Sequence, residues 1–237
     1  MQTHPHIVVF TGAGVSADSG ISTFRDQDGL WCRHRIEDVC TAEAMVRNRQ
    51  GVIDFYNERR RELLDKQPNA AHYAIAELEK YFPVDVVTQN VDDLHERAGS
   101  THITHLHGEL CKLRSSRDET AWVPIEGWKQ EYDTRHPDGS LLRPYIVFFG
   151  EGVPNLEPAI RITEQADLFL VVGTSLKVYP AASLLQYTRP GIPIILVDPG
   201  EPELGLLADK VHFVRQRAAE GVPMVVERLI ARYAKDQ

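Results

Sequence analysis

Ile7-Val8-Val9-Phe10 runs through Thr11 into Gly12-Ala13-Gly14-Val15-Ser16-Ala17-Asp18-Ser19-Gly20, and this junction decides the fold. β-Branched and aromatic residues ending in glycines read as a buried strand turning into a helix, with the Gly-x-Gly-x-x-Ala spacing of dinucleotide-binding turns. The glycines are expected to serve twice: in the tight turn, and in letting backbone N–H groups approach a pyrophosphate at the helix N-terminus. A glycine turn without a ligand has the same local pattern, so the turn by itself fixes only a strand–helix junction.

Outward from this junction, four further runs are near-continuously apolar, as strands covered by helices should be: Val84–Thr88, residues 145–149, Leu168–Val172 and residues 192–197. The expected fold class is α/β, with a doubly wound parallel Rossmann-like sheet at its centre. Functional groups in such sheets lie beyond the carboxyl ends of the strands, where Gly12, Gln89, Gly173 and Asp198 all fall. Asp198 closes Ile194-Ile195-Leu196-Val197 and offers the carboxylate that a ribose diol needs. Two stretches interrupt the sheet pattern. Residues 32–81 are helical in character, with Asn69 as N-cap before the run from Ala70 to Leu78, and should form a small lobe beside the crevice. Residues 110–145 are polar and broken by Pro124, Pro137 and Gly139.

The 237 residues with 43% hydrophobic content suit one large α/β domain with insertions, over residues 1–237. A net charge of −8 disfavours nucleic acid and anionic membranes as partners. No basic region followed by an apolar stretch opens the chain, and no run approaches the roughly 18 apolar residues of a membrane span. Cys32, Cys40 and Cys111 form neither a disulfide framework nor a C-x-x-C pair. These features predict a cytoplasmic protein, and a monomer is expected.

Further motifs follow in order: Ile21-Ser22-Thr23-Phe24-Arg25-Asp26, Thr88-Gln89-Asn90-Val91-Asp92-Asp93-Leu94-His95, Leu106-His107-Gly108-Glu109 and Gly173-Thr174-Ser175. With the glycine turn they closely resemble the sirtuin family of NAD-dependent lysine deacylases, over nearly the whole chain. The resemblance is strongest to bacterial sirtuins and to the class III branch, which removes acidic acyl groups. It implies a Rossmann core over about 1–31, 82–109 and 146–237, and a small lobe over about 32–81 and 110–145. Most sirtuins carry a four-cysteine zinc ribbon in that second insert. Here Ser115-Ser116 and His136-Pro137-Asp138 stand roughly where cysteine pairs would be, and Cys111 aligns poorly with a ligand position. One cysteine with one histidine cannot close a tetrahedron, so no zinc is expected and the insert reads as a remnant of the ribbon. Trp122, Trp128 and Tyr132 are expected to bury apolar surface in its place, each contributing on the order of a few kcal/mol.

The implied chemistry transfers an acyl group from lysine to the ADP-ribose half of NAD, with nicotinamide leaving first. His107 is then the general base on a ribose hydroxyl, a task that suits an imidazole with an unperturbed pKa of about 6.5. Asn90 and Asp92 match the residues that hold the nicotinamide carboxamide, and Gln89 the ribose. Phe24 matches the cover of the nicotinamide pocket. Gly12, Ala13, Gly14, Ser16, Thr23, Arg25 and Trp31 fall on the nucleotide side, with Gly173, Thr174, Ser175, Asp198 and Ala218 towards the phosphates and adenosine. Sirtuins more often have Asn at the position of Asp198. Tyr56 and Arg59, three apart and hence on one helix face, match the class III pair that takes a succinyl or malonyl carboxylate. An acylated peptide would lie as an added strand between Phe149-Gly150-Glu151-Gly152-Val153 and Leu176-Lys177-Val178-Tyr179.

Blander readings remain beside these. Asp92 also fits an N-cap for a helix starting near Leu94, and Arg59, Arg60 and Arg61 fit a solvated helix face. A protein ADP-ribosyltransferase and a catalytically silent NAD or ADP-ribose sensor are the alternative functions. An ordinary dehydrogenase fits less well, because no acid follows the glycine turn by about twenty residues within a second strand.

Overall fold

The computed structural model describes residues 4–22, 35–200, 204 and 209–234. Among them the strands are, in chain order, β1 (Ile7–Thr11), β2 (Val84–Thr88), β3 (Ile103–His105), β4 (Gly108–Ser115), β5 (Trp122–Pro124), β6 (Leu142–Ile146), β7 (Leu168–Val172), β8 (Ile194–Val197) and β9 (Val211–Val214). The helices are α1 (Gly14–Ala17), α2 (Ile36–Val39), α3 (Ala42–Arg47), α4 (Arg49–Leu64), α5 (Ala70–Leu78), α6 (Leu94–Ala98), α7 (Leu156–Gln165) and α8 (Ala218–Tyr233), with a 3-10 helix over Ala181–Tyr187.

Six strands form one parallel sheet in the order β3-β2-β1-β7-β8-β9. The chain winds outward from β1 to β3, then returns to the centre at β7 and winds the other way. Strand order therefore reverses between β1 and β7, the place where a doubly wound sheet opens a crevice at its carboxyl edge. β1 and β7 are buried at every residue, which explains their unbroken apolar sequence. Period-two alternation sends Ile7, Val9, Leu168 and Leu170 to one face, against Ile75 of α5 and Val222 of α8. Val8, Phe10, Phe169 and Val171 go to the other, against Ala159 of α7 and Leu184 of the 3-10 helix. Each such side chain contributes roughly 1.5–3 kcal/mol on full burial.

The short edge strands β3 and β9 have no counterpart in the sequence reading, and β8 begins at Ile194 rather than at 192. Residues 145–149 are not a strand of the parallel sheet. β6 ends at Ile146 and pairs antiparallel with β4 in a separate three-stranded sheet of order β5-β4-β6. Ile146 and Phe148 are apolar because they enter the core of the small lobe, whereas Phe149 stands 47% exposed. A short apolar run says that a segment is covered, not which sheet covers it.

Asn69 caps α5 as expected, in a capping box in which the Asn69 backbone N–H donates to His72 Nδ1. Its helix nevertheless packs on the main sheet, not in the lobe, because Ala71, Ile75 and Leu78 face the β1–β2 core. The lobe is built by α2 to α4 with the three-stranded sheet, around Val52, Phe55, Tyr56, Leu110 and Phe148.

Of the three aromatics expected to bury apolar surface in this insert, only Trp128 is half-buried. Trp122 and Tyr132 are 46% and 39% exposed. Polar side chains hold the insert instead. Arg60 is 2% exposed, so it is no part of a solvated helix face. It donates to the Leu110 and Trp128 carbonyls, to Asn57 Oδ1 and to Gln130 Oε1. Farther out, buried Ser115 Oγ lies 2.7 Å from both Asp138 Oδ2 and Ser140 Oγ, and His136 Nδ1 lies 3.2 Å from the same Asp138 oxygen. This closed set of two hydroxyls, a carboxylate and an imidazole contains no thiolate and does not fit the donor set of a structural zinc. Cys111 sits elsewhere, its thiol 4.0 Å from Asp93 Oδ2.

Candidate active site

The carboxyl ends of β1, β2, β7 and β8 deliver Gly12, Gln89, Gly173 and Asp198 to one side of the sheet. The two glycines of the first turn bring backbone against backbone. Gly12 N–H donates to Val172 O at 3.0 Å and Gly14 N–H to Gly173 O at 2.8 Å, so both donors are taken by the β7 loop. A Cβ on Gly14 would stand 2.6 Å from Gly173 Cα, and one on Gly12 2.8 Å from Thr174 Cβ. The glycines let the β1 and β7 loops touch, and thereby fix the floor of the crevice. Gly173 completes the contact at φ +62°, a left-handed conformation that suits glycine.

Ser16 in α1 is the hub of a buried polar network. Its hydroxyl donates to Asp92 Oδ2 at 3.0 Å and accepts from Asn90 Nδ2 at 3.1 Å, with His72 Nε2 at 3.4 Å. Asp92 Oδ1 also accepts from Leu94 N–H, so Asp92 caps the turn into α6 and faces the cleft at once. Burial raises the pKa of its carboxyl, against the hydrogen bonds from Leu94 and Ser16. Behind this layer His95 approaches Thr11 Oγ1 at 3.1 Å, and its ring lies 4.9 Å from that of His72. Burial keeps both neutral, lowering His72 to about 4 and His95 well below the ordinary histidine value.

His107 follows β3 and its Nδ1 lies 3.0 Å from the Gln89 carbonyl. A carbonyl only accepts, so Nδ1 carries the proton and Nε2 keeps its lone pair. Burial lowers the pKa of the ring despite that bond, which leaves it neutral at physiological pH. Gln89 Nε2 donates to Thr174 Oγ1 and so ties the β2 loop to the β7 loop. Asp198 Oδ1 accepts from Gly200 N–H at 2.7 Å at the far end.

At the lobe end Tyr56 is 1% exposed, stacks on Phe148 and donates its hydroxyl to Cys40 Sγ at 3.3 Å. The Arg59 guanidinium lies 5.8 Å from the Phe55 ring centroid. Phe149 N–H donates to the Cys40 carbonyl, which joins this corner to the Phe149–Gly150 turn. Glu151 is a clamp: it accepts from Arg143 Nη1 and Nη2 at 2.6 and 3.2 Å and from Phe148 N–H at 2.8 Å.

A single cleft of ≈ 720 Å³ is lined by Gly12, Ala13, Gly14, Ser16, Gln89, Asn90, Asp92, His107, Gly173, Thr174, Ser175, Asp198 and Ala218. Tyr56, Arg59, Phe149, Gly150, Glu151 and Val153 line its lobe end. Thr23, Phe24, Arg25 and Trp31 lie outside the described residues. Cys40 and Phe148 line the cleft without having been singled out. His72 was also missed, although its place at the third position after the Asn69 cap signals a fixed ring.

The Sir2 family model matches residues 12–180. An "NAD-dependent protein deacylase" of Aggregatibacter actinomycetemcomitans is 56% identical over 195 residues, covering 82% of this chain and 93% of that protein. One of the same description from Bacteroides thetaiotaomicron is 51% identical over 230 residues, covering 95% and 98%. Among solved structures, a Sir2 homologue mutant in complex with ADP ribose superposes with a TM-score of 0.88 at 38% identity, over 98% of this chain and 94% of that one. With the motifs spanning both windings of its sheet, the chain belongs to the Sir2 family.

Proposed function

We propose that the chain is an NAD-dependent protein-lysine deacylase that moves acetyl or an acidic acyl group, succinyl or malonyl, from lysine to ADP-ribose and releases nicotinamide. NAD is the co-substrate and supplies the electrophilic ribose carbon and its hydroxyls. The reading is carried by one observation: His107, the Asn90–Asp92 loop, the glycine turn and the Tyr56/Arg59 corner all line one cleft. A neutral imidazole with its Nδ1 proton anchored on Gln89 O has Nε2 available to take a proton, as a general base on a ribose hydroxyl requires. The Asn90 amide and the buried Asp92 carboxyl supply the donors and acceptors that a carboxamide needs. Their pocket lies on the sheet side, so nicotinamide and acyl-lysine approach from opposite ends.

Arg59 and the Tyr56 hydroxyl are the groups we assign to an acyl carboxylate. The phenol donates to a thiol, a weak acceptor that a carboxylate readily displaces. Phe149, Val178 and Tyr179 are 47%, 36% and 68% exposed on the two segments assigned to an acylated peptide strand. One catalytic domain, no zinc, a cytoplasmic location, a monomeric state and no nucleic-acid partner complete the proposal. The test is turnover of matched acetyl- and succinyl-lysine peptides with NAD, read as nicotinamide and acyl-ADP-ribose. Arg59→Met is expected to lose desuccinylation selectively while deacetylation persists. An equal loss of both would make Arg59 structural, and NAD binding without turnover of either peptide would replace the enzyme by a sensor.

A further inference from the structure

His105 and His107, two residues apart, reach the same loop in the same way. His107 Nδ1 lies 3.0 Å from the carbonyl of Gln89, and His105 Nδ1 lies 2.9 Å from the carbonyl of the next residue, Asn90. Carbonyls only accept, so both rings are protonated at Nδ1. Their second nitrogens differ. That of His107 is left for the cleft, whereas that of His105 lies 2.7 Å from Glu96 Oε1 in α6. A histidine whose two nitrogens both face acceptors carries two protons, provided its acidic partner is ionised. Glu96 meets that condition. Burial would raise its pKa, but the hydrogen bond and charge of His105 outweigh burial and lower it.

We propose that His105, charged by Glu96, is a positioning residue of the deacylase site, a brace that holds the Gln89–Asn90 loop in register with His107 and Ser16. The proposal rests on the deacylase reading above. Asn90 is gripped at three points: its N–H donates to Thr88 Oγ1, its amide to Ser16 Oγ, and its carbonyl accepts from His105. The first two bonds are uncharged and leave the carbonyl free to rotate about the loop. The third is charge-assisted and roughly twice as strong as a neutral bond. Without it the carbonyl between Asn90 and Val91 loses its partner, while Val91 and Asp92 stay held by Leu110 N–H, Ser16 and Leu94.

The brace has a built-in pH limit. The groups facing His105 are Glu96 and His95 on α6, Asp92 in the loop, and Glu109 on β4, which pairs with Lys112 at 2.6 Å. Burial works against the charge on His105. The hydrogen bond and charge of Glu96, with the Asn90 carbonyl and Glu109, outweigh it and set the ring above the ordinary histidine value. A raised folded-state pKa means that the contact is present below it and is lost as pH rises through it. Deprotonation leaves one N–H for two acceptors; the carboxylate, the stronger of them, keeps it, so Nδ1 turns a lone pair to the Asn90 carbonyl and that bond is lost. His107 and His105 thus work in opposite protonation states: one must be neutral, the other charged.

The closing experiment is the pH profile of kcat/KM for NAD in wild-type protein and in Glu96→Gln, alongside an NMR titration of the histidine Cε1–H signals. Neutralising Glu96 removes an opposite charge in hydrogen-bond contact, which is typically one or more pKa units. The alkaline limb of Glu96→Gln is expected to move about one unit towards acid, so that at high pH kcat/KM falls about tenfold, mainly through KM, while the acid limb stays in place. The His105 signal should titrate above the His107 signal in wild type and move down in the variant. Superimposable alkaline limbs, or a His105 signal that titrates at or below that of His107, would overturn the brace. A lowered melting temperature with unchanged limbs would mean a structural role only, and would overturn it equally. If wild-type protein turns over no acyl-lysine peptide, the deacylase reading fails. The brace is then judged on the same titration and on the pH dependence of NAD affinity.

Discussion

Replacing Arg60 by methionine tests whether the small lobe is held by a buried cation in place of a metal. The guanidinium binds four oxygens: Leu110 O at 3.1 Å, Asn57 Oδ1 at 2.7 Å, Trp128 O at 3.3 Å and Gln130 Oε1 at 3.4 Å. Asn57 Oδ1 keeps the Gln130 N–H as a donor after the change. The other three lose this donor; Trp128 O is only part-buried, whereas Leu110 O and Gln130 Oε1 are buried acceptors whose loss costs about 1–3 kcal/mol each. Against that loss stands relief of burying a charge, visible in the lowering of the Arg60 pKa to about 10 by burial. Methionine also retains most of the apolar stem. The net destabilisation expected from these opposing effects is about 3 kcal/mol, or roughly 6–12 °C in melting temperature for a chain of this size. Two of the three tryptophans, Trp122 and Trp128, belong to the insert, so tryptophan fluorescence during thermal unfolding, compared with a Trp31→Phe background, reports the lobe. Arg61→Met is the control. Arg61 is exposed and lies 5.5 Å from the Trp128 ring centroid, a surface contact expected to change stability by about 0.5 kcal/mol. A drop below about 2 °C for Arg60→Met, or equal drops for both variants, would refute the view that Arg60 anchors the insert.

His107→Ala is expected to lower kcat by about 10²–10⁴-fold while NAD affinity by calorimetry changes little, and unchanged kinetics would remove His107 from the mechanism. Because burial lowers the His107 pKa, the neutral form persists to lower pH, so the acid limb of kcat/KM should lie below the ordinary histidine value of about 6.5. Gly173→Ala places a Cβ 2.3 Å from Val15 N and 2.4 Å from Gly14 C at a positive φ, with only backbone to yield. A loss of about 2–5 kcal/mol in urea unfolding is expected, and a near-neutral effect would mean that the two loops do not touch. Metal analysis of purified protein should find no stoichiometric zinc, and one zinc per chain would overturn the reading of residues 110–145.

The central sheet was legible because burial on both faces leaves a compositional trace. Val84–Thr88 and Leu168–Val172 were readable to the residue: Leu168–Val172 is buried and apolar throughout, and Val84–Thr88 is buried at all but Asp85, which pairs with His6. β9 left no such trace: it is an edge strand of four residues with one exposed and three half-buried positions, and its pairing with β8 supplies what its sequence does not. Residues 145–149 misled for the complementary reason. Phe148 is as buried as any residue of the main sheet, but under Tyr56 and Arg143, and burial does not name its partner. The helical insert was read as one body because periodicity reports that a helix has an apolar face and not what that face meets. Only the packing of Ala71, Ile75 and Leu78 against α8 and the main sheet separates α5 from the lobe.

The insert and the histidines make the same point about polar side chains. The residue types of 110–145 speak only for that segment, whereas side chains that hold it lie partly elsewhere, in Arg60 and Asn57 of α4, too far along the chain for any local pattern to connect. Likewise four histidines close on the cleft layer, and the direction in which each pKa moves follows from its burial and from what each ring nitrogen meets. His72 and His95 meet hydroxyls inside a dry layer and stay neutral. His107 meets one carbonyl and stays neutral with a lone pair to use. His105 meets a carbonyl and a carboxylate, which raise its pKa against burial and favour the charged form. The motif Leu106-His107-Gly108-Glu109 could single out one of them, the ring we assign as general base. It could not record the ring two residues earlier, whose role is set by Glu96 across a helix.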